Sequence, residues 1–593
     1  MKKRISTALA TLLLLAVSLP AFVIAQQSGA QPAPPPNARR QPPSADGPAT
    51  PGTARARRPR PSDATEGLEA DVAEALTVIQ DNHVDGSKVK YDEVFKSSII
   101  GMLRTLDPHS NFYDAKEFEE QRADWRSEYY GIGATIGDRK IGATTDTYVL
   151  ATFEQTPAFR AGLRFGDRIV EIDGKPVKGK ASGEVRDMLR GPRGTIVRVS
   201  VERASNGQPE TVAITRDAVA QPTVPDAYFI RPGVGYIDMT RGFNYTTADE
   251  FIHALDYLRG NGMSGLVVDL RNNGGGILDQ AKIVAEQFLQ NGQTILTQKG
   301  RGTRGMQREL ISDNRKPDPT PLVVLVNRGT ASASEIVAGA WQDHDRALIV
   351  GETSFGKGLV QSIMPLEYGT ALTLTTSKYY TPSGRLIQRD YSNQGFYDYI
   401  YGRVNGTQEE DEANKAKATE KPKGPETHTD TGRPIYGGGG IAPDEAIKGR
   451  TLSPQQVRLI DPIFGFAREA VNGRVAGVPA AFKVGGMPEF ERNVEPSAFA
   501  VDDKVFKAFK EYVAANFEDL KLTEAQLDRS RDYIVRQLRY DLTTAAYGSV
   551  KASQVLMADD PQVMKAIDSL PRARDLATAA MRGRNPQTKS FEE

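Results

Sequence analysis

Three stretches of this 593-residue chain set glycine-rich turns beside side chains able to act on a carbonyl group. In the first, the apolar run Pro321 to Val326 leads through Asn327 into Gly329-Thr330-Ala331-Ser332-Ala333-Ser334-Glu335 and a helical pattern over 336–342. In the second, Ser264 to Asp269 breaks into Leu270-Arg271-Asn272-Asn273-Gly274-Gly275-Gly276 before a helical pattern over 278–289. In the third, Ala347 to Gly351 opens a loop that holds Lys357 between Gly356 and Gly358. A serine at a helix N-terminus has the positive end of the dipole and free N–H groups beside it, the environment that stabilises an oxyanion. Glycines let another backbone approach closely. Cysteine is absent, which excludes a thiol nucleophile, thiolate metal sites and disulfide frameworks, so covalent chemistry falls to a serine, with Ser332 and Ser334 both in place.

A serine nucleophile needs a base. The five histidines are His83, His109, His253, His344 and His428, and the one nearest in sequence, His344, lies twelve residues along the helix that follows the serines. Twelve helical residues span about 18 Å, so His344 cannot reach the turn along a continuous helix. The other four sit in segments without a comparable motif. Folding can in principle bring one of them close; Lys357 on its glycine-flanked loop is taken as the candidate base, and it can act only when deprotonated. Moving a lysine pKa from about 10.4 to about 7.5 takes roughly 4 kcal/mol of desolvation or like-charge repulsion, so its site must be largely buried. Gly351 to Lys357 also imitates a phosphate-binding loop, but position 358 is glycine, with no hydroxyl for magnesium, and Pro365 spoils the helix that would receive phosphate.

The serine segment, Phe355-Gly356-Lys357-Gly358 and Asp269 to Gly276, taken with Gly432-Arg433-Pro434-Ile435-Tyr436-Gly437-Gly438-Gly439, resemble the C-terminal processing peptidases, also called tail-specific proteases. The similarity runs from about Leu68 to Asp444. It implies a Ser-Lys dyad with Ser332 as nucleophile and Lys357 as base, Ser334 standing second as nucleophile. It further implies that Gln361 positions the lysine and that the oxyanion donors are the N–H groups of Ala333 and of one glycine among 274–276, with Gly275 favoured. Asp343 also falls on a motif position, where a structural role suffices. Neither cofactor nor metal is expected.

The elements that position these residues alternate as strand, turn and helix, which specifies an α/β core. Ahead of it, short strand patterns fill 130–216, with one helix near Ala181 to Leu189. Pro157 to Leu163, Gly166-Asp167-Arg168-Ile169, Ile172-Asp173-Gly174 and Leu189-Arg190-Gly191 resemble a PDZ domain. Such a domain adds a peptide as a strand to a sheet edge and holds its terminal carboxylate on backbone N–H groups. Gly131, Ile132, Gly133 and Ala134 fit that carboxylate loop. Val185 and Leu189, four apart on the helix, would face the groove and meet an apolar tail.

Both ends of the chain differ from this core. Residues 1–25 carry Lys2-Lys3-Arg4, an apolar run and Val23-Ile24-Ala25, read as a secretory signal; the alternative is an uncleaved anchor that tethers the chain to a membrane. Residues 26–66 are rich in Pro, Ala and Arg, a linker composition. Helical spacing over 67–128 and again over 461–593 marks helical regions, the second read as a packed cap. The charged stretch 406–432 reads as a solvated, disordered insertion in a protease core spanning 218–460, with the PDZ domain at 129–217. Lys plus Arg and Asp plus Glu are equal at 75 each, so no electrostatic footprint argues for nucleic acid.

The whole is an α/β multidomain chain: a protease core of tail-specific type with an inserted PDZ-like, β-rich module and helical N- and C-terminal regions. The expected activity is that of an exported, periplasmic or otherwise extracytoplasmic serine endopeptidase. Its expected partners are proteins and peptides with free apolar C-termini, with room for an adaptor protein. The rival reading is a catalytically inactive scaffold of the same build that binds tails without cutting them.

Overall fold

The computed structural model describes residues 63–301, 307–392, 395–401, 424–490 and 498–584. The signal segment, most of the linker and residues 406–423 of the expected insertion lie outside the described residues.

Its centre is a six-stranded sheet in the order Ala227–Arg231, Val234–Asp238, Gly265–Asp269, Leu322–Val326, Ala347–Gly351, Glu445–Ala446. The first pair is antiparallel and every later pair parallel. The three middle strands are buried at every position, as their unbroken apolar runs require of parallel strands covered on both faces. Val268 and Val324 point to the face covered by the helices Thr247–Gly260, Leu278–Glu286 and Ala333–Asp343, where Phe251, Phe288 and Trp341 fill the core. Val267, Val323 and Leu325 point to the other face, which Val563, Ala566, Leu570 and Ala573 cover. Those four side chains belong to the last two helices, Pro561–Asp568 and Leu570–Arg584.

The C-terminal region is helical and packed, as expected, and its two parts cover different units. The helices between Ile460 and Met557 form their own cluster around Phe464, Phe466, Phe509 and Leu538 and pack on the PDZ sheet, with Phe464 against Tyr148 and Phe165 at ring separations of 5.5 and 5.1 Å. Arg468 Nε donates to Gly166 O at 2.8 Å across the same contact. The helices beyond Pro561 are a layer of the protease core.

A second sheet holds the lysine side of the site. Strand Leu359–Pro365 pairs antiparallel with Ala371–Tyr380, whose first residues also pair with Asn111–Tyr113 from the N-terminal region. The chain between the N-terminal helices and the PDZ domain therefore enters the protease core. Helix Asp63–Asn82 begins inside the stretch read as linker, and its apolar residues Leu68, Val72 and Ile79 stay exposed, as do Tyr91, Phe95 and Met102 of helix Tyr91–Arg104. Residues 424–432, read as part of a solvated insertion, join an ordered hairpin in which Glu426–His428 pairs with Pro434–Tyr436.

Candidate active site

Ser332 ends the turn after strand Leu322–Val326 and immediately precedes helix Ala333–Asp343. Its backbone sits at φ 57°, ψ −117°, outside the regions an L-residue ordinarily occupies, a conformation that costs on the order of 1–3 kcal/mol and persists only where neighbours enforce it. The neighbours are identifiable. The Ser332 N–H donates to Glu335 Oε2 at 2.9 Å, and Tyr379 OH donates to Ser332 O at 3.1 Å. From the other side the glycine turn presses in: a Cβ on Gly275 would lie 2.7 Å from Ser332 Cβ and from Ala333 N, so only glycine fits there. Asn273 O accepts from Ala331 N at 2.9 Å and from Ser334 Oγ at 3.0 Å, tying the two turns together. The Ser334 hydroxyl is thus a fully buried fastener, whereas Ser332 is part-exposed.

Glu335 joins the serine turn to the lysine loop. Its carboxylate is fully buried, and one oxygen accepts both the Ser332 N–H and the Lys357 N–H, the latter at 2.8 Å; the other accepts from Gly356 N at 2.7 Å and from Ser354 Oγ. The Ser332 and Lys357 backbone nitrogens consequently lie within about 6 Å of each other. Burial pushes the Glu335 carboxyl above its usual range while the four donors oppose that shift. Ser332-x-x-Glu335 has the spacing of a helix-capping box, the sequence signal that would have marked this residue.

Burial also pushes the Lys357 amine down to about 8, against the opposing pull of Glu335 and Asp107. If neutral Lys357 is the base, kcat/KM should rise with pH and level off with a midpoint near 8, because only the deprotonated amine accepts a proton. A pH–rate profile checks this, and a midpoint near that of a free lysine would exclude it. Asp107 comes with Leu106-Asp107-Pro108-His109-Ser110, which sequence reading left as the end of a helical region. His109 lies beside the same loop, its ring against Phe355 and Tyr399 and its Nε2 3.0 Å from Tyr399 OH. Burial, with Lys357 and Arg389 nearby, holds its pKa down to about 2, so the imidazole is neutral at any working pH.

The other expected residues divide. Gln361 faces Thr375 across the strand pair and donates to its Oγ1 at 3.1 Å; Thr375 N in turn donates to Ser110 Oγ, and Ser110 to Asp107. No hydrogen bond links the Lys357 amine to Gln361 or to Ser332 Oγ among the described residues. Ala333 N–H opens its helix, one of the amides without an intrahelical acceptor. Gly275 differs from expectation, because its N–H donates to Asn273 Oδ1 at 2.9 Å and can serve an oxyanion only when that bond opens. Asp343 pairs with Arg385 at 2.7 Å and accepts from Ser383 N at the far end of the helix, a structural role. His344 bridges Asp430 and Thr294 O, away from the serine.

In the PDZ unit, Gly131, Ile132, Gly133 and Ala134 lead into strand Ala134–Ile141, with Gly133 at φ +80° against Thr156. Ile132 O and Gly133 O are already taken by Ala158 N and Thr156 Oγ1. Val185 and Leu189 do not line an open groove. They are 0% and 4% exposed, packed with Ile132, Val149 and Val197, and the start of helix Ser182–Leu189 is tied to the strand by Ser182 N–H donating to Asp138 Oδ2 at 3.0 Å.

A model of peptidase family S41 matches residues 233–394, and a PDZ domain model matches 153–203. The chain is 38% identical over 302 residues to the carboxy-terminal-processing protease of Bartonella bacilliformis, covering 50% of this chain and 67% of that protein. It is 35% identical over 297 residues to the carboxyl-terminal-processing protease of Synechocystis sp., covering 49% and 68% respectively. Among solved structures, the photosystem II D1 C-terminal processing protease matches at 33% identity and a TM-score of 0.30, over 49% of this chain and 78% of that one.

Proposed function

The chain belongs to peptidase family S41, among the carboxy-terminal-processing proteases, and from that premise we propose that it is an exported endopeptidase that takes protein substrates by their C-terminal tails and cleaves them through an acyl-enzyme on Ser332. In this reading the neutral Lys357 amine accepts the Ser332 hydroxyl proton as Oγ attacks the scissile carbonyl. The oxyanion is met by the Ala333 N–H and by an amide of the 274–276 turn. The lysine ammonium returns its proton to the leaving amine, and water then attacks the ester, with the amine again as base. The observation that carries the reading is the single Glu335 oxygen shared by the Ser332 and Lys357 N–H groups, which holds nucleophile and base on one anchor.

Tail recognition falls to the 131–134 loop. Because Val185 and Leu189 are closed over, an apolar tail reaches them only if helix Ser182–Leu189 swings off strand Ala134–Ile141. A free C-terminus ending in small or apolar residues should be cleaved faster than its amidated or acidic counterpart, and a tail peptide should raise hydrogen exchange in residues 182–189. Cleavage rates of paired substrates differing only in the last three residues or in terminal amidation decide it; equal rates remove tail selection from the proposal. Persistent tail binding with no cleavage of any unfolded substrate would favour the inactive scaffold. Export rests on residues 1–25, and N-terminal sequencing of secreted material beginning after Ala25 would establish both export and cleavage.

A further inference from the structure

Arg271, at the root of the glycine turn, is held from two directions. On one side, its Nε reaches both Asp269 oxygens at 2.9 and 3.0 Å and its Nη2 reaches Asp269 Oδ2 at 2.6 Å; Tyr236 OH donates to that same Oδ2. On the other side, Nη1 donates to Asp560 Oδ1 at 3.0 Å and to Gln562 Oε1 at 2.8 Å, residues almost 300 positions later, at the start of helix Pro561–Asp568. Asp560 caps that helix, accepting from Gln562 N and Val563 N, and Gln562 Nε2 donates to Ile447 O. Arg271 is only 9% exposed and Gln562 only 2%.

The residues after Arg271 are those that meet the serine. Asn272 turns the chain at φ 59°, Asn273 O holds the Ala331 N–H and the Ser334 hydroxyl, and Gly275 lies against Ser332. A shift at the guanidinium is therefore passed to the amides that face a developing oxyanion, where donor placement must hold to a fraction of an ångström.

Docking of the last two helices does not need these polar contacts. Val563, Ala566, Leu570 and Ala573 already bury an apolar face on the sheet, and buried ion pairs are commonly no more stabilising than apolar packing. Lys565 and Arg572 of that layer pair with Glu445 at the edge of the sheet, whereas the Asp560 contact falls on the residue that roots the catalytic turn. We propose that Asp560 and Gln562 are positioning residues of the active site, fixing Arg271 and, through it, the glycine turn opposite Ser332. This rests on the protease reading above and extends the site beyond the family match, which ends at residue 394.

The test uses the full chain, an unfolded protein substrate and a fluorophosphonate probe that labels the active serine. Asp560→Asn keeps the helix-capping oxygen but removes the negative charge that faces the Arg271 guanidinium. It should lower kcat and the labelling rate by roughly tenfold, leaving KM within about twofold and the pH midpoint unmoved, since the surroundings of Lys357 are untouched. Gln562→Ala should act in the same direction and Gln562→Glu, which retains an acceptor oxygen, should recover most of the loss. In an Arg271→Lys background, Asp560→Asn should add little to the labelling defect, because its effect passes through the guanidinium.

Wild-type kcat in Asp560→Asn, or the same loss repeated in full on Arg271→Lys, would overturn the proposal. If Asp560→Asn does not fold, the Gln562 pair decides by the same criteria: a loss in Gln562→Ala with recovery in Gln562→Glu supports the proposal, and wild-type rates in both overturn it. A wild-type chain that neither cleaves nor labels removes the protease reading and this proposal with it. An active wild type with unaffected variants removes the proposal alone.

Discussion

Replacing either Ser332 or Lys357 with alanine should abolish turnover to a similar residual level, a loss on the order of 10⁴-fold or more, with the fold intact. A nucleophile and its base act as one unit, so removing either forfeits nearly the whole of their joint contribution. The links between the two segments run through their backbone N–H groups to Glu335, which neither substitution removes, and the capping contact of the Ser332 side chain with its own helix is worth only about 1 kcal/mol. Ser334→Ala should behave oppositely. It removes the hydroxyl that donates to Asn273 O, but that carbonyl keeps the Ala331 N–H, so the cost is about 1 kcal/mol of stability with measurable activity retained. Hydrolysis of an unfolded substrate together with thermal melts separates the two cases. An inactive Ser334→Ala beside an active Ser332→Ala would reassign the nucleophile.

Glu335 should give the second largest effect, and it moves two measurements at once. Glu335→Ala leaves the Ser332, Gly356 and Lys357 amides and the Ser354 hydroxyl without their shared buried acceptor. Orphaned buried donors cost about 1–3 kcal/mol each, so this variant should be destabilised by about 3 kcal/mol or more. Glu335→Gln keeps the shape but offers one acceptor oxygen in place of two, and its loss in kcat should be about 10²-fold, because Ser332 and Lys357 are no longer held to a common atom.

The pH dependence of Glu335→Gln has a definite sign. The Glu335 carboxylate favours the Lys357 ammonium and so raises the lysine pKa, while burial lowers it to about 8. Removing the negative charge leaves burial less opposed, and the midpoint of the remaining activity should fall below the wild-type value. A midpoint unchanged or moved upward would mean that Glu335 carries no charge next to the lysine.

The chemistry was legible where it depended on local pattern. Buried parallel strands must be apolar throughout, so Leu266 to Val268, Leu322 to Val326 and Ala347 to Val350 declare themselves without reference to the rest of the chain. The turns that follow them carry Ser332, Lys357 and the glycines, and Gly275 is glycine because another backbone occupies the space of its Cβ. The lack of cysteine excluded a thiol nucleophile and the position of His344 turned attention to Lys357 on its glycine-flanked loop, the base that the family resemblance implies.

Tertiary structure decided what depends on which surfaces meet. A helical period says that Val185 and Leu189 share a face, but packing with Ile132, Val149 and Val197 turns that face onto the domain core instead of an open groove. The apolar stripe of the last two helices says that they bury one side, and the identity of that partner, the second face of the catalytic sheet, came from packing across almost 300 residues. Asp107 and His109 reach the lysine because Asn111–Tyr113 pairs with Ala371–Tyr380, a register no local propensity encodes. Glu335 stood in view as an acidic residue near a helix start, yet its four donors come from separate turns. Local sequence sets the conformation and polarity of each segment, whereas the contacts that shift pKa values and fix donors arise between segments, when burial removes the water that would otherwise satisfy each of them alone.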